Sequence, residues 1–154
     1  MEHKSKDWPP EDLLNLLSDL PESGVALPLL VSGSSMVPFL VHGRDTVYLS
    51  KITTPIKRGD IVLYRRNNGE LVLHRVCRLT SEGLTMIGDA QQDPESGIGA
   101  DQLLAVTTAV RRKGKLLTRS DWRWKCFGRI WLLVIPWRRK LLSAYASITK
   151  KMVI

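Results

Sequence analysis

The segment Ser32-Gly33-Ser34-Ser35-Met36-Val37-Pro38 follows an apolar run and reads as a turn. A serine placed there, between small Gly33 and chain-directing Pro38, presents its hydroxyl with backbone N–H groups close enough to receive an oxyanion. Gly/Ser turns are common for purely conformational reasons, so the segment needs a partner before it means catalysis. The chain offers one: His74, set within the apolar stretch Leu71-Val72-Leu73-His74-Arg75-Val76. A neutral imidazole, with a pKa of about 6.5 in water, takes a serine proton near neutral pH without special help. A lysine base needs burial to lower its pKa by several units, and Lys51 and Lys57 lie on other segments.

Four segments together carry a resemblance. Gly33–Pro38 fits a G-x-S-M-x-P pattern, Lys57-Arg58-Gly59-Asp60-Ile61-Val62 follows, His74 stands on the next strand, and Gly88-Asp89-Ala90 with Asp93 closes the series. In order and spacing they resemble the serine peptidase superfamily that joins type I signal peptidases to the self-cleaving repressors of the SOS response. The histidine at position 74 is similar to the Ser/His subgroup of endoplasmic-reticulum and archaeal enzymes. The resemblance implies a Ser35 nucleophile, a His74 general base, and Asp89 and Asp93 as the acidic positions that orient the imidazole. Glu95 and Asp101 stay open as alternatives to Asp93. It also implies an oxyanion site on the Ser35 N–H, with Ser34 as helper, because Gly33 stands where many signal peptidases carry a serine. Ala90 replaces the usual Asn after the Gly-Asp pair. The implied substrate is a peptide or preprotein with a leader to be removed, cut after small residues.

The remaining polar candidates read as structural. His42 falls in the turn His42-Gly43-Arg44-Asp45, His3 near the terminus, and Asp60 in a turn. Cys77, three residues after His74, falls on the opposite face of a strand, which argues against a Cys/His nucleophile. Cys77 and Cys126 are too few for a disulfide scaffold, and no histidine stands at metal-ligand spacing to them. No metal or cofactor is expected.

These residues must be held by a mainly β fold. Leu13, Leu16, Leu17 and Leu20 recur at helical spacing behind Pro9-Pro10, giving a short N-terminal helix. Runs rich in Val, Ile, Leu and Tyr at 25–32, 46–52, 60–65, 70–79, 84–87, 103–110 and 116–118 predict strands, with Asn67-Asn68-Gly69 and 112–115 as hairpin turns. The expected organisation is an N-terminal helical segment over 1–22, a compact peptidase-type β-body over 23–119, and a basic, aromatic, partly helical segment over 120–154.

Charge separates the last part from the rest. The 154 residues carry a net charge of +8, but residues 1–110 hold 10 Lys/Arg against 14 Asp/Glu, while 111–154 hold 13 basic residues against Asp121 alone. Four of the five tryptophans, Trp122, Trp124, Trp131 and Trp137, lie in that basic segment. An aromatic-edged apolar block, 130–137, between cationic flanks suits attachment to a membrane surface, while simple coverage of the β-body is the competing structural account. A nucleic-acid partner is disfavoured by the acidic body and the lack of a recognisable module. No apolar run reaches the roughly 17–20 residues of a transmembrane span, and no targeting segment is visible, so the expected place is cytoplasmic, peripheral on the inner face of the membrane. The alternative to an enzyme is a non-catalytic binding or regulatory module of the same fold. About 30 residues before Gly33 are too few for the DNA-binding region of a repressor.

Overall fold

The computed structural model describes residues 9–151. Its centre is one antiparallel sheet of eight strands, β1 (Leu27–Leu30), β2 (Thr46–Ser50), β3 (Ile61–Arg65), β4 (Leu71–Thr80), β5 (Gly83–Ile87), β6 (Glu95–Ile98), β7 (Leu103–Arg112) and β8 (Lys115–Thr118). They run in the spatial order β1-β2-β7-β3-β4-β5-β6, and β8 folds back on the end of β7. Helix α1 (Pro10–Ser18) precedes the sheet, and α2 (Trp122–Leu133), a single 3-10 turn at Ile135–Trp137 and α3 (Arg138–Lys151) follow it. The mainly β class and the short N-terminal helix agree with the sequence. Strand β6 was not expected, and segment 120–151 is almost wholly helical.

β3 lies in the middle of the sheet, and its continuous apolar run Ile61-Val62-Leu63-Tyr64 is buried on both faces. Alternation sends Ile61 and Leu63 into one cluster with Val47, Leu49, Phe39 and Met36, and Val62 and Tyr64 into a second with Val76, Met86 and Ile98. The first cluster is sealed by Leu13, Leu17 and Leu20 of the N-terminal region and by Trp124 of α2. Trp124 meets Phe39 edge-on at 5.8 Å and Phe127 lies 4.8 Å from the same ring. Thus α2 is built into the core of the β-body, as the coverage account requires.

The Lys57–Asp60 turn shows why α2 fits. Asp60 accepts from the Lys57 N–H at 2.8 Å, the turn-forming role expected of it. Gly59 has φ +95°, and a Cβ there would meet the Gly128 carbonyl of α2 at 2.9 Å. The close approach of helix to turn therefore depends on glycine at 59, whereas a Cβ at Gly128 would make only ordinary contact, 3.6 Å from Gly59 Cα.

Candidate active site

The turn holding Ser35 is stapled from several sides. Met36 is buried in the core beneath it, the Val37 N–H donates to Ser34 O, and the Leu40 N–H donates to Met36 O. His42 Nδ1 accepts from the Gly33 N–H at 3.1 Å, so this histidine, read from sequence as an ordinary turn residue, ties down the start of the nucleophile turn. Asp45, fully buried, accepts from the Val41 N–H at 2.9 Å and from Arg44 at 2.7 Å. Burial works against its charge, but those bonds prevail and hold its carboxyl below the usual range. Among the described residues, neither Ser34 N–H nor Ser35 N–H has an intramolecular acceptor, as an oxyanion site needs.

Behind the turn lies the Gly88–Gln91 loop. The Ala90 N–H donates to Ser35 O at 2.8 Å, and a Cβ on Gly88 would stand 2.6 Å from that same carbonyl. Glycine at 88 is thus a steric requirement of seating Ser35, whatever else the Gly-Asp pair does. The loop is braced in turn by the C-terminal helices. Trp131 Nε1 donates to Asp89 O at 2.8 Å, and Arg138, fully buried, donates through Nη1 to Gly88 O at 2.9 Å and Gln91 O at 3.1 Å.

Ser35 and His74 line one cavity of about 640 Å³, together with Ser34, Leu29, Leu73 and Arg66. Among the described residues, no hydrogen bond joins the Ser35 and His74 side chains. Such bonds commonly tighten only when substrate binds. His74 is nearly fully buried on β4, opposite Val62 of β3, with its ring facing the second cluster. Its Nδ1 lies 3.2 Å from Tyr64 Oη, and Tyr64 Oη donates to Glu95 Oε2 at 2.8 Å. With the phenolic proton committed to Glu95, the phenol oxygen accepts from Nδ1–H. That tautomer leaves Nε2 as the unprotonated nitrogen, available to take a proton.

Arg66 completes the chain, with Nη2 2.8 Å from Glu95 Oε2 and Nη1 2.8 Å from Glu70. Burial opposes the charge on Glu95, but its bonds to Arg66 and Tyr64 outweigh this and keep the carboxyl below its ordinary range. Tyr64 is pushed the other way, upward, by burial and by its bond to Glu95. Burial, followed by the positive charge of Arg66, lowers the His74 pKa to about 4. The imidazole is therefore neutral through the physiological range, and a reaction using it as base loses rate as pH falls through about 4, where protonation removes the acceptor. A profile of kcat/KM against pH checks this, with the acid limb near 4 in the native chain and shifted upward in Arg66→Gln. Tyr64→Phe keeps the ring but removes the tautomer-setting oxygen. It is expected to reduce kcat roughly 100-fold with little change in KM, read from steady-state kinetics.

The acidic residues fall elsewhere than the sequence implied. Asp89 does not touch His74: its two oxygens accept from Arg75 Nε at 2.9 Å and Nη2 at 2.8 Å. Arg75 follows His74 on β4 and so points to the opposite face, where its guanidinium also sits 5.1 Å above the Phe39 ring. A carboxylate with no solvent exposure needs a charge partner, and Arg75 supplies it. Asp93 is exposed beside a separate hollow with Arg139 and Leu142, and Asp101 is exposed as well. Of the four acidic candidates, Glu95 reaches His74, through Tyr64. Tyr64, Arg66, Arg75 and Arg138 were not singled out in the sequence, and His42 was read there only as a turn residue. The Cys77 thiol donates to Thr85 O at 3.3 Å and burial pushes its pKa up, which suits a structural thiol. Among the described residues no group of His, Cys, Asp and Glu could hold a metal ion. No family model, no curated protein and no solved structure matches the chain.

Proposed function

We propose that this protein is a serine endopeptidase of signal-peptidase-like character that removes a leader from a peptide or preprotein. The observation that carries the reading is the convergence of Ser35 and His74, from a turn and a distant strand, on one cavity. Support comes from the support chain behind the histidine, which fixes the tautomer a general base requires. Ser35 Oγ attacks the scissile carbonyl while His74 Nε2 takes its proton. The Ser34 and Ser35 N–H groups receive the oxyanion, and the Glu95 charge, relayed through Tyr64, steadies the imidazolium that forms. The imidazolium then protonates the leaving amine, and water, deprotonated by the same nitrogen, releases the acyl group from Ser35.

The cavity wall made by Leu29 and Leu73 suits an extended peptide with small or apolar side chains, in keeping with the resemblance. Incubation with a pool of synthetic peptides bearing Ala-x-Ala sites, followed by mass spectrometry, tests the reading. Cleavage at defined bonds that vanishes in Ser35→Ala is expected. Stoichiometric peptide binding without cleavage would replace the enzyme by a binding module built on the same cavity.

A further inference from the structure

The two C-terminal helices use their apolar residues in different ways. α2 turns Trp124, Gly128 and Leu132 inward, and Trp131 is spent on the Asp89 carbonyl. α3 does the reverse: Arg138 at its root is buried, and none of residues 139–148 is. Leu141 and Ile148, two helical turns apart, share one face of α3 and are 45% and 59% exposed, while Trp137, one turn before Leu141, is 61% exposed. Leu133, at the end of α2, is also exposed. Leu141 and Ile148, with Trp137 just before the helix, give α3 an apolar side that is largely exposed.

The charge that α3 itself carries is of one sign. Lys140 flanks that face, Arg139 and Lys150 stand on the opposite, polar side of the helix, and no acidic residue follows Asp121 in the sequence. Lys140 Nζ lies 5.5 Å from the Trp137 ring centroid, and Arg123 sits 5.8 Å above exposed Trp122, so cations are held at the aromatic edges. A second copy of this chain would bring like charges together. A nucleic acid would satisfy the cations and could stack on Trp137, but would leave Leu133, Leu141 and Ile148 in water. An anionic bilayer surface takes both components, headgroup phosphates against Lys and Arg and the acyl boundary against the apolar side chains. Among the described residues no helix is long and apolar enough to cross a membrane, so the helix would lie on it.

We propose that the Leu141–Ile148 face of α3, together with Trp137 in the turn before it, docks on an anionic phospholipid surface. The docking helix is not a loose appendage, because Arg138 bonds it to the Gly88 and Gln91 carbonyls behind Ser35. The cavity is thereby held at a set distance and orientation from the lipid, which goes beyond the peptidase reading and does not depend on turnover.

The test is flotation of the full chain with vesicles of phosphatidylcholine alone or mixed with phosphatidylglycerol, with tryptophan emission as a second readout. Binding to the mixed vesicles only, with a blue-shifted emission and loss in high salt, is expected. Leu141→Glu with Ile148→Glu is expected to weaken it by about 10-fold or more, and Lys140→Glu with Lys150→Glu, which leaves the apolar face intact, to remove the preference for anionic lipid. Thermal unfolding of both variants checks that they remain folded. Absence of flotation, equal flotation of the variants, tighter binding to an RNA oligonucleotide than to vesicles, or a dimer that the Leu141/Ile148 pair dissociates would each overturn the proposal. Peptide cleavage is measured separately, so its presence or absence leaves this outcome legible.

Discussion

Ser35→Ala and His74→Ala are each expected to lower kcat/KM by about 1,000-fold or more, with the double variant hardly worse than either single one. The expectation follows from the division of labour in the cavity. Ser35 without a proton acceptor is a poor nucleophile, and His74 without Ser35 has no proton to take, so the two act as a unit and their losses do not add. Two independently useful residues would instead give multiplicative losses. Ser35→Ala is expected to keep the native unfolding temperature within a few degrees, because Ser35 sits on a turn held by its backbone, whereas His74→Ala leaves a cavity beside Tyr64 and is expected to lower it while the chain stays folded. Steady-state kinetics on a cleavable peptide, paired with thermal unfolding, checks both halves of the statement.

Asp89→Ala is expected to act through stability first. Its carboxylate and the Arg75 guanidinium are both without solvent exposure and joined by two hydrogen bonds. Removing one partner strands the other charge in the core, at a cost of about 3–5 kcal/mol. For a chain of this size that corresponds to a fall in unfolding temperature of roughly 6–20 °C. Asp89→Leu combined with Arg75→Leu removes both charges and is expected to recover much of the loss. If Asp89 were instead the orienter of His74, Asp89→Asn would lower kcat at unchanged stability and the paired replacement would rescue nothing. Differential scanning calorimetry of the three variants decides between these outcomes.

The elements that carry strong local patterns were legible in the sequence. The Leu13, Leu16, Leu17 and Leu20 spacing marks α1, and Asn67-Asn68-Gly69 joins β3 to β4 as a tight turn should. β6 escaped because Glu95–Ile98 is a four-residue strand with Ser96 and Gly97 at its centre, and only its pairing with β5 makes it a strand. That omission has a functional cost, since β6 is what brings Glu95 to Tyr64. Tyr64 itself was hidden in an apolar run, where a buried tyrosine looks like any core residue until its hydroxyl is traced to a partner.

The resemblance placed the acid at Asp89 or Asp93 because local motifs are read along the chain, whereas the ring of His74 meets whatever lies across β3 and β6. Strand parity could have warned that Arg75, next to His74, faces away and would need its own acid. In the basic segment, composition could not separate Trp124, which fills the core, from Trp137, which faces outward. That distinction is fixed by the Gly59–Gly128 approach and by Arg138.

In the proposed reaction Ser35 is a nucleophile activated by neutral His74. A fluorophosphonate probe, followed by peptide mapping in a mass spectrometer, reads that directly. One adduct per chain is expected, on Ser35, formed at a rate that falls as pH drops through about 4 and that is all but lost in His74→Ala. A folded protein that takes no label, or one that labels Ser32 or Ser34 equally well and is indifferent to His74→Ala, would contradict it.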